Sequence, residues 1–375
     1  MSLNRRSNYQ YYRPQNNSVS TTNYRETPPT LSLFHKSLYF FIGFFFMYVG
    51  LSFLFNPPKK DSDTIALDDT TNNSFNHQQT DQPKNNILSL FQPQATPNPN
   101  TLGVNTKQDE KLMKLIEDQI PEGNGEYAVV VKELGTENGS QVFINYQTIF
   151  PAGSLYKLYV MAAALEKVEK GDLTMQTSIS AQTDHLEEVL GSADFGYEDR
   201  KGETISYTLE EILARIARIS DNYASIMLAE KLDWEYVRDY AKRIGAADTI
   251  IKSPISTNAK DTAYFFDQLY QKKIVSITAS NKLIELLETA QLNQRIPAKL
   301  PKKGITIAHK TGELPGVRHD AGIVYFDIDE KEGTASAKQE KAYLIVLMSK
   351  DLKGEDTGVK ALADISKVVY DYLSK

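Results

Sequence analysis

Ser154 and Lys157 are the first residues in the chain whose types and spacing could carry out a reaction. They lie three positions apart where a loop is predicted to enter a helix, so their side chains share one face of its first turn. A lysine in an apolar pocket favours the free amine, which can take the proton of the serine hydroxyl and make it a nucleophile. Because one Ser-x-x-Lys is expected about once by chance in a chain of this size, the pair alone does not decide the function.

The helix that must position this pair is predicted to be buried. Pro151 and Gly153 precede the pair, a run rich in alanine and leucine extends to Lys167, and Gly171 is the expected C-terminal cap. The run is apolar on nearly every side, which is typical of a helix inside a core. Its first turn is also the positive end of the helix dipole.

Two tripeptides further along the chain strengthen this interpretation. Ser220-Asp221-Asn222 lies between two predicted helices, and Lys310-Thr311-Gly312 ends a predicted strand. By composition, each tripeptide is expected by chance on the order of 0.1 times or less. The order Ser-x-x-Lys, Ser-Asp-Asn, Lys-Thr-Gly is the pattern of penicillin-recognising serine enzymes.

The predicted elements put strands at both ends of this region and helices between them. Helices are predicted at 107–120, through most of 172–300 and at about 358–373, and strands at 126–132, 141–146, 305–310, 322–326 and 343–348. The simplest packing is one antiparallel sheet flanked by the terminal helices, with an all-helical second lobe. The predicted fold class is therefore α/β, an α+β sandwich.

Residues 107–375 resemble the class A serine β-lactamases and the wider β-lactamase-like serine hydrolases. Besides the three motifs, the likeness covers the segments Thr208-Leu-Glu-Glu-Ile-Leu213, Asn293-Gln-Arg-Ile-Pro-Ala-Lys-Leu-Pro301 and Arg318-His-Asp-Ala-Gly-Ile-Val324. The resemblance implies a β-lactamase/transpeptidase-like fold and a serine hydrolase that forms an acyl-enzyme with β-lactams or with related peptides and esters. It implies no cofactor.

The resemblance and the chemistry together assign the catalytic roles. Ser154 is expected to attack the carbonyl, and Lys157 to act as the base with help from the nearby cation of Lys310. Ser220 is expected to relay a proton to the departing nitrogen. By resemblance, the oxyanion hole is formed by the backbone N–H groups of Ser154 and Glu313, and the Glu313 side chain is incidental to that role.

Substrate binding is assigned by resemblance to a second set of residues. Asn222 is expected to hold the side-chain amide of the substrate, and Lys310 and Thr311 to bind its carboxylate. Gly312 connects this pair to the oxyanion hole. Arg318 matches an arginine that assists carboxylate binding in some members. Three neighbours of the motifs are interpreted as structural residues: Asp221 as a helix cap, and His309 and His319 as packing residues.

One motif of the class A enzymes is missing from the chain. Those enzymes carry Glu-x-x-Leu-Asn after Ser-Asp-Asn, and its glutamate activates the water that frees the enzyme. Here no glutamate lies between Tyr236 and Ile284, and the segment 246–255 is short. The nearest carboxylates, Asp248 and Asp261, do not fit the pattern. Because losing a positioned base costs about 10²–10⁴-fold, we expect slow deacylation.

Three alternatives remain open from the sequence. The chain could be a β-lactamase with a substitute base, a D-alanyl-D-alanine carboxypeptidase-like peptidoglycan enzyme, or a non-hydrolytic sensor domain that binds β-lactams or cell wall. The intact set of Lys157, Ser220 and Lys310 argues against the sensor, since binding alone does not need all three.

The segments before residue 107 predict a membrane anchor. Residues 37–55 form an uncharged apolar run of 19, long enough to span a bilayer, between a disordered cytoplasmic tail at 1–36 and a disordered linker at 56–106. Five basic residues precede the run and two follow it closely: Arg5, Arg6, Arg13, Arg25 and Lys36, then Lys59 and Lys60. This asymmetry favours a single-pass signal anchor in the cell membrane with an extracytoplasmic domain, and a cleaved signal peptide is the competing interpretation.

Composition excludes several classes of function. The net charge of −6 gives no electrostatic footprint for nucleic acid. The absence of cysteine removes thiol catalysis, disulfides and thiolate metal sites. The five histidines form no ligand pair such as His-Glu-x-x-His, so no metal site is predicted. The protein is expected to be a monomer.

Overall fold

The computed structural model describes residues 108–190, 202–328 and 339–375. The predicted cytoplasmic tail, membrane anchor and linker, at 1–36, 37–55 and 56–106, lie outside the described residues. Within the described ranges, no helix is both long and apolar enough to cross a membrane.

Nine strands form three sheets in the described part of the chain. The strands are β1 (Glu126–Leu134), β2 (Gln141–Ile144), β3 (Phe150–Pro151), β4 (Ser178–Gln182), β5 (Thr204–Thr208), β6 (Ser256–Thr257), β7 (Ile305–Leu314), β8 (Val317–Ile328) and β9 (Gln339–Lys350). The largest sheet has the order β2-β1-β9-β8-β7, and all of its neighbouring pairs are antiparallel. The predicted antiparallel sheet is confirmed.

The described α-helices are distributed around this sheet and in a second lobe. They are α1 (Glu110–Glu117), α2 (Lys157–Glu169), α3 (Thr183–Leu190), α4 (Leu209–Ile219), α5 (Asn222–Leu232), α6 (Trp234–Arg243), α7 (Ala259–Tyr270), α8 (Ile277–Glu288) and α9 (Glu355–Leu373). A 3₁₀ turn at Gly153–Tyr156 leads directly into α2.

The sheet separates two hydrophobic cores because alternate residues of a strand point to opposite faces. On β1, Val129 and Val131 belong to the core that contains α1 and α9 residues, and Ala128 and Val130 belong to the core of the helical lobe. Both faces are therefore covered by apolar side chains, which explains why the central strands read as continuous hydrophobic runs.

Helix α2 lies at the centre of the helical lobe. Its residues from Lys157 to Leu165 are all buried, and the helix contacts α5, α6 and α8. A helix without a polar face gains its stability from packing on every side. The prediction of a buried helix after the Ser-x-x-Lys motif is confirmed.

The helical lobe also contains short strands that the sequence did not predict. Strands β4 and β5, which flank α3 in the sequence, form an antiparallel pair, and β3 pairs with β6. In the β4–β5 pair the fully buried positions are Ile179 and Ile205, one in each strand. Each strand alternates, but it has only two apolar positions, Ile179 and Ala181 in β4 and Ile205 and Tyr207 in β5, so the run is too short to identify a strand in a segment predicted to be mainly helical.

Candidate active site

A cavity of about 700 Å³ lies where the three sequence motifs meet. The predicted site residues in its wall are Ser154, Ser220, Asn222, Thr311 and Glu313. Lys157 and Lys310 lie behind this wall, and both side chains are almost completely buried. Positions that are far apart in the sequence are thus brought together by the 3₁₀ turn, the α4–α5 junction and strand β7.

Ser154 lies on a turn that is pressed against β7. Gly153 has a φ of +51°, and a Cβ at this position would lie 2.8 Å from the backbone nitrogen of Glu313. On the other side, a Cβ at Gly312 would lie 3.0 Å from the carbonyl oxygen of Ala152. Only glycine fits both contacts. The close approach brings the turn that carries Ser154 next to the Glu313 N–H, as the predicted oxyanion hole requires.

Lys157 connects the first motif to the second. Its Nζ donates to the carbonyl oxygens of Ser220, at 2.5 Å, and Asp221, at 3.3 Å, and to Oδ1 of Asn222, at 2.6 Å. These three acceptors favour the ammonium form, but burial and the charge of Lys310 act against it and lower the pKa of Lys157 well below its usual value. Burial is the larger effect because the side chain is fully enclosed.

Lys310 connects the third motif to the second. Its Nζ donates to Oγ of Ser220 at 2.7 Å and to the carbonyl oxygen of Thr311 at 2.9 Å. Burial lowers the pKa of Lys310 to about 7, although the nearby carboxylate of Asp320 opposes this shift. Lys310 can therefore exchange a proton with Ser220 near neutral pH.

The α4–α5 junction holds Ser220 in an unusual conformation. Ser220 caps the end of α4 in the left-handed region, with a φ of 59°. The next residue, Asp221, accepts from the backbone N–H of Ala224 as the N-cap of α5 and pairs with Arg215. The structural interpretation of Asp221 is confirmed, and two helix caps fix the position of the serine between them.

The two histidines that flank the motifs are buried and hydrogen-bonded within the protein. His319 has one ring nitrogen 2.7 Å from the carbonyl oxygen of Pro151 and accepts at Nδ1 from the Ser349 N–H. Burial lowers the pKa of His319 to about 4, so it is neutral at pH 7 and donates to Pro151, just before the nucleophile turn. His309 contacts Asp320 at 2.8 Å.

The structure does not bring Arg318 to the cavity. Its guanidinium pairs with Glu355 at the start of α9 and donates to the carbonyl oxygens of Leu314 and Val317, at 2.8 Å each. The β7–β8 turn is tight and Arg318 lies directly opposite Glu313 in the register. From this position the side chain bonds the turn and α9, and its contact with a substrate carboxylate stays a prediction.

A different arginine lies next to the cavity wall. Arg295 is 2% exposed, and its Nη2 pairs with the carboxylate of Glu313. Arg295 lies in the segment Asn293–Pro301, and no role was predicted for it because an arginine in a loop has no spacing signal. Tyr156 was also missed: it lines the cavity, and its hydroxyl lies 3.3 Å from Oγ of Ser225.

A second part of the cavity wall is formed by the short segment that follows α6, which bonds the chain just before Ser154 through the Ala152 N–H and the Ile255 carbonyl oxygen. Ser253, Pro254 and Ile255 lie in the wall at this side. Asp248 is paired with Lys260 at 2.5 Å and neither it nor Asp261 belongs to the wall. Of the wall residues that the structure describes, Glu313 alone carries a carboxylate.

In the described parts of the chain, no group of three or more histidine, aspartate or glutamate side chains could hold a metal ion.

Comparisons with known proteins agree with this geometry. The model of the "Beta-lactamase enzyme family" matches residues 110–373. A β-lactamase of Bacteroides uniformis is 22% identical over 319 residues, which cover 76% of this chain and 97% of that protein. The extended-spectrum β-lactamase PER-1 of Pseudomonas aeruginosa is 23% identical over 255 residues, covering 64% of this chain and 80% of PER-1.

Two solved structures illustrate the similarity of the fold. One is a mutant of PBP-A as its acyl-enzyme complex with penicillin G, with a TM-score of 0.61 and 23% identity over 71% of this chain and 97% of that one. The other is the TLA-1 extended-spectrum β-lactamase, with a TM-score of 0.58 and 22% identity over 72% of this chain and 100% of that one. At these identities the likeness is one of fold.

Proposed function

The chain belongs to the β-lactamase enzyme family and is a serine β-lactamase-like hydrolase, and we propose that Ser154 is acylated by β-lactams or related amides and esters faster than the acyl-enzyme is hydrolysed. One observation carries the first half of this proposal. Both buried lysines reach Ser220, since Lys157 bonds its carbonyl oxygen and Lys310 bonds its hydroxyl.

Acylation follows from this arrangement in two steps. Lys157 takes the Oγ proton as Ser154 attacks the carbonyl carbon, and the oxyanion is stabilised by the N–H groups of Ser154 and Glu313. The C–N bond then breaks, and Ser220 gives its proton to the departing nitrogen while Lys310 supplies a proton to Ser220. The result is an ester at Ser154 and a released amine, which stays tethered when the donor is a β-lactam.

Deacylation has less support from the residues of the cavity. The ester must be attacked by water, and a general base is worth about 10²–10⁴-fold for such a step. The side that follows α6 presents Ser253, Pro254 and Ile255, which offer no carboxylate. The wall carboxylate of Glu313 is held by Arg295. A long-lived acyl-enzyme is therefore the expected state after exposure to a β-lactam.

A D-alanyl-D-alanine carboxypeptidase-like activity is the second candidate. The observation that favours it is the same lack of a glutamate at the Ser253–Ile255 side, since the family's hydrolytic glutamate is a feature of the class A enzymes. Release of D-alanine from a stem-peptide mimic, absent in Ser154→Ala, would support this activity, and a peptide that stays intact while β-lactams acylate Ser154 would exclude it.

We also propose where the enzyme works. The apolar run at 37–55, with its excess of preceding basic residues, supports a single-pass anchor in the cell membrane and an extracytoplasmic catalytic domain. In this proposal the domain acts as a monomer. Protease treatment of intact cells tests the orientation: degradation of the domain is expected, and protection of the domain would contradict it.

The acylation proposal is tested by intact-mass measurement on the full-length protein after exposure to benzylpenicillin. We expect the mass of one penicillin to be added to the wild-type chain and no addition to Ser154→Ala. If the wild-type protein shows neither an adduct nor turnover, it is not a penicillin-recognising enzyme. Ser178→Ala, which changes an exposed serine on strand β4, is the matched control and should be acylated like the wild type.

A further inference from the structure

Arg295 is a buried cation whose charge is balanced at the cavity wall. It is the largest of the fully buried side chains, and its Nη2 donates to the Glu313 carboxylate. Its Nε and Nη1 are buried and have no hydrogen-bond partner in the described part of the chain. A buried cation with unsatisfied donors depends strongly on the anion that remains, so Glu313 is the group that makes this position of Arg295 tolerable.

Glu313 lies at the place where a substrate carboxylate is expected. It follows Thr311 by two positions on β7, so both side chains are on one face of the strand, and both belong to the cavity wall. Its side chain is 47% exposed. The pKa of Lys310 is shifted mainly by burial and by Asp320, and to a smaller extent it is lowered by Arg295 and raised by Glu313. The charges of Arg295 and Glu313 therefore lie close enough to Lys310 to interact with it.

We propose that Glu313 is a specificity-determining residue that disfavours acyl donors with a carboxylate beside the scissile bond relative to neutral esters or amides of the same shape. The inference rests on the proposed acylation of Ser154 and concerns which donors reach it. The Glu313 side chain, which is incidental to the oxyanion hole, then has a role of its own.

The selection has a simple electrostatic origin. A carboxylate that binds at Lys310 and Thr311 meets the like charge of Glu313, or must displace that carboxylate from Arg295. Displacement is feasible because the half-exposed Glu313 can turn towards water, but it breaks an ion pair with a buried arginine. A neutral donor requires neither change. Anionic donors are therefore penalised relative to neutral ones.

The test compares two donors on the same preparation of the full-length protein. The second-order rate constants for acylation by benzylpenicillin and by its methyl ester are measured by intact mass, for the wild type and for Glu313→Gln. We expect Glu313→Gln to raise the ratio of the acid rate to the ester rate about tenfold, as removal of one like charge at close range allows. The ratio does not depend on the folded fraction, because both rates come from one sample.

Two further variants make the result unambiguous. Glu313→Ala has the same expected direction and retains no amide that could replace the carboxylate at Arg295. Glu355→Gln is the matched control, since it neutralises a glutamate paired with an arginine outside the cavity, and its ratio should equal that of the wild type. An unchanged ratio in both Glu313 variants, with Ser154 still acylated, overturns this inference alone. Failure of both donors to acylate the wild type overturns the proposed function and the inference with it.

Discussion

The two sides of the cavity differ in the chemistry they can perform. One side presents Ser154 and Ser220, and two buried lysines bond Ser220 from behind through hydrogen bonds of 2.5 and 2.7 Å. The other side, at Ser253, Pro254 and Ile255, has no ionisable side chain. The groups proposed to move protons during acylation are therefore held in place by hydrogen bonds. The segment Ser253–Ile255 supplies no general base that could activate water for hydrolysis. This difference is the basis of our proposal that the protein forms an ester at Ser154 more readily than it releases it.

The largest effect is expected from removing the base of the acylation side. Lys157→Met should lower the second-order rate of acylation by about 10³-fold, because general-base catalysis of this kind contributes 10²–10⁴-fold. Stopped-flow or quenched intact-mass kinetics with benzylpenicillin measure this rate. Lys167→Met, which changes a partly exposed lysine on the same helix, is the control and should react like the wild type. A rate for Lys157→Met within threefold of the wild type would remove Lys157 from the mechanism.

The next effect concerns the histidine that holds the nucleophile turn. The pKa of His319 is about 4 in the folded protein, below its ordinary value of 6.5, so the unfolded chain binds the proton more readily at intermediate pH. The neutral His319 therefore contributes fully to the free energy of unfolding above pH 6.5, and this contribution is lost as the pH falls from 6.5 to 4. A shift of this size corresponds to about 3 kcal/mol in the free energy of unfolding.

This contribution is measured by denaturant unfolding at pH 7 and pH 4. His319→Gln does not titrate, so its loss of stability over this interval should be smaller than that of the wild type by about 3 kcal/mol. His185→Gln, which changes a half-exposed histidine on the surface, should follow the wild type. Equal losses for the wild type and His319→Gln would show that the imidazole is not held neutral by the fold.

A carboxylate added to the other side should reduce the difference between the two sides. Ile255→Glu would place a carboxylate in the wall beside the turn that carries Ser154, since Ile255 accepts a hydrogen bond from the Ala152 N–H. We expect the acyl-enzyme lifetime to shorten roughly tenfold, less than an optimised base provides. Intact-mass decay of the penicillin adduct measures the lifetime. Ile255→Gln is the isosteric control and should leave it unchanged. If the glutamine variant shortens the lifetime as much, water access rather than base catalysis limits deacylation.

The smallest effect is a pH dependence of donor binding. Since the pKa of Lys310 is about 7, its positive charge is present below pH 7 and is lost as pH rises. The acid-to-ester ratio of acylation rates should therefore fall several-fold between pH 6 and pH 8.5. The methyl ester is the internal control because it has no carboxylate to bind. A ratio that is constant over this interval would show that Lys310 does not hold the donor carboxylate at its ammonium group.

The sequence predicted the acylation side better than its surroundings, for a physical reason. Ser154, Lys157, Ser220 and Lys310 are residue types whose combination and order are rare by chance, and the elements that follow or carry them are long apolar runs buried in the core. Arg295 carries no such signal, because its role depends on burial beside Glu313, a contact across 18 positions of chain. The pairing of Arg318 with Glu355 was likewise not predictable, because it depends on side-chain direction, which spacing does not determine.

The strands of the fold differed in the same way in how well the sequence predicted them. The five-stranded sheet was predictable because its central strands are long and buried on both faces. The pair of β4 and β5 was not, since each strand is five residues long and has two apolar side chains, of which only one is buried. Sequence patterns therefore indicated the elements that make up the core, and they did not reveal elements whose pairing is decided by backbone hydrogen bonds at the surface.

The lifetime of the acyl-enzyme shows whether Ser154 is acylated faster than its ester is hydrolysed. Full-length protein is mixed with a slight excess of benzylpenicillin, and the adduct at Ser154 is followed by intact mass from seconds to hours. We predict stoichiometric accumulation of the adduct, followed by decay much slower than its formation. Rapid turnover of the penicillin without accumulation of an adduct would contradict the claim, because it would require an efficient water-activating group in the folded protein.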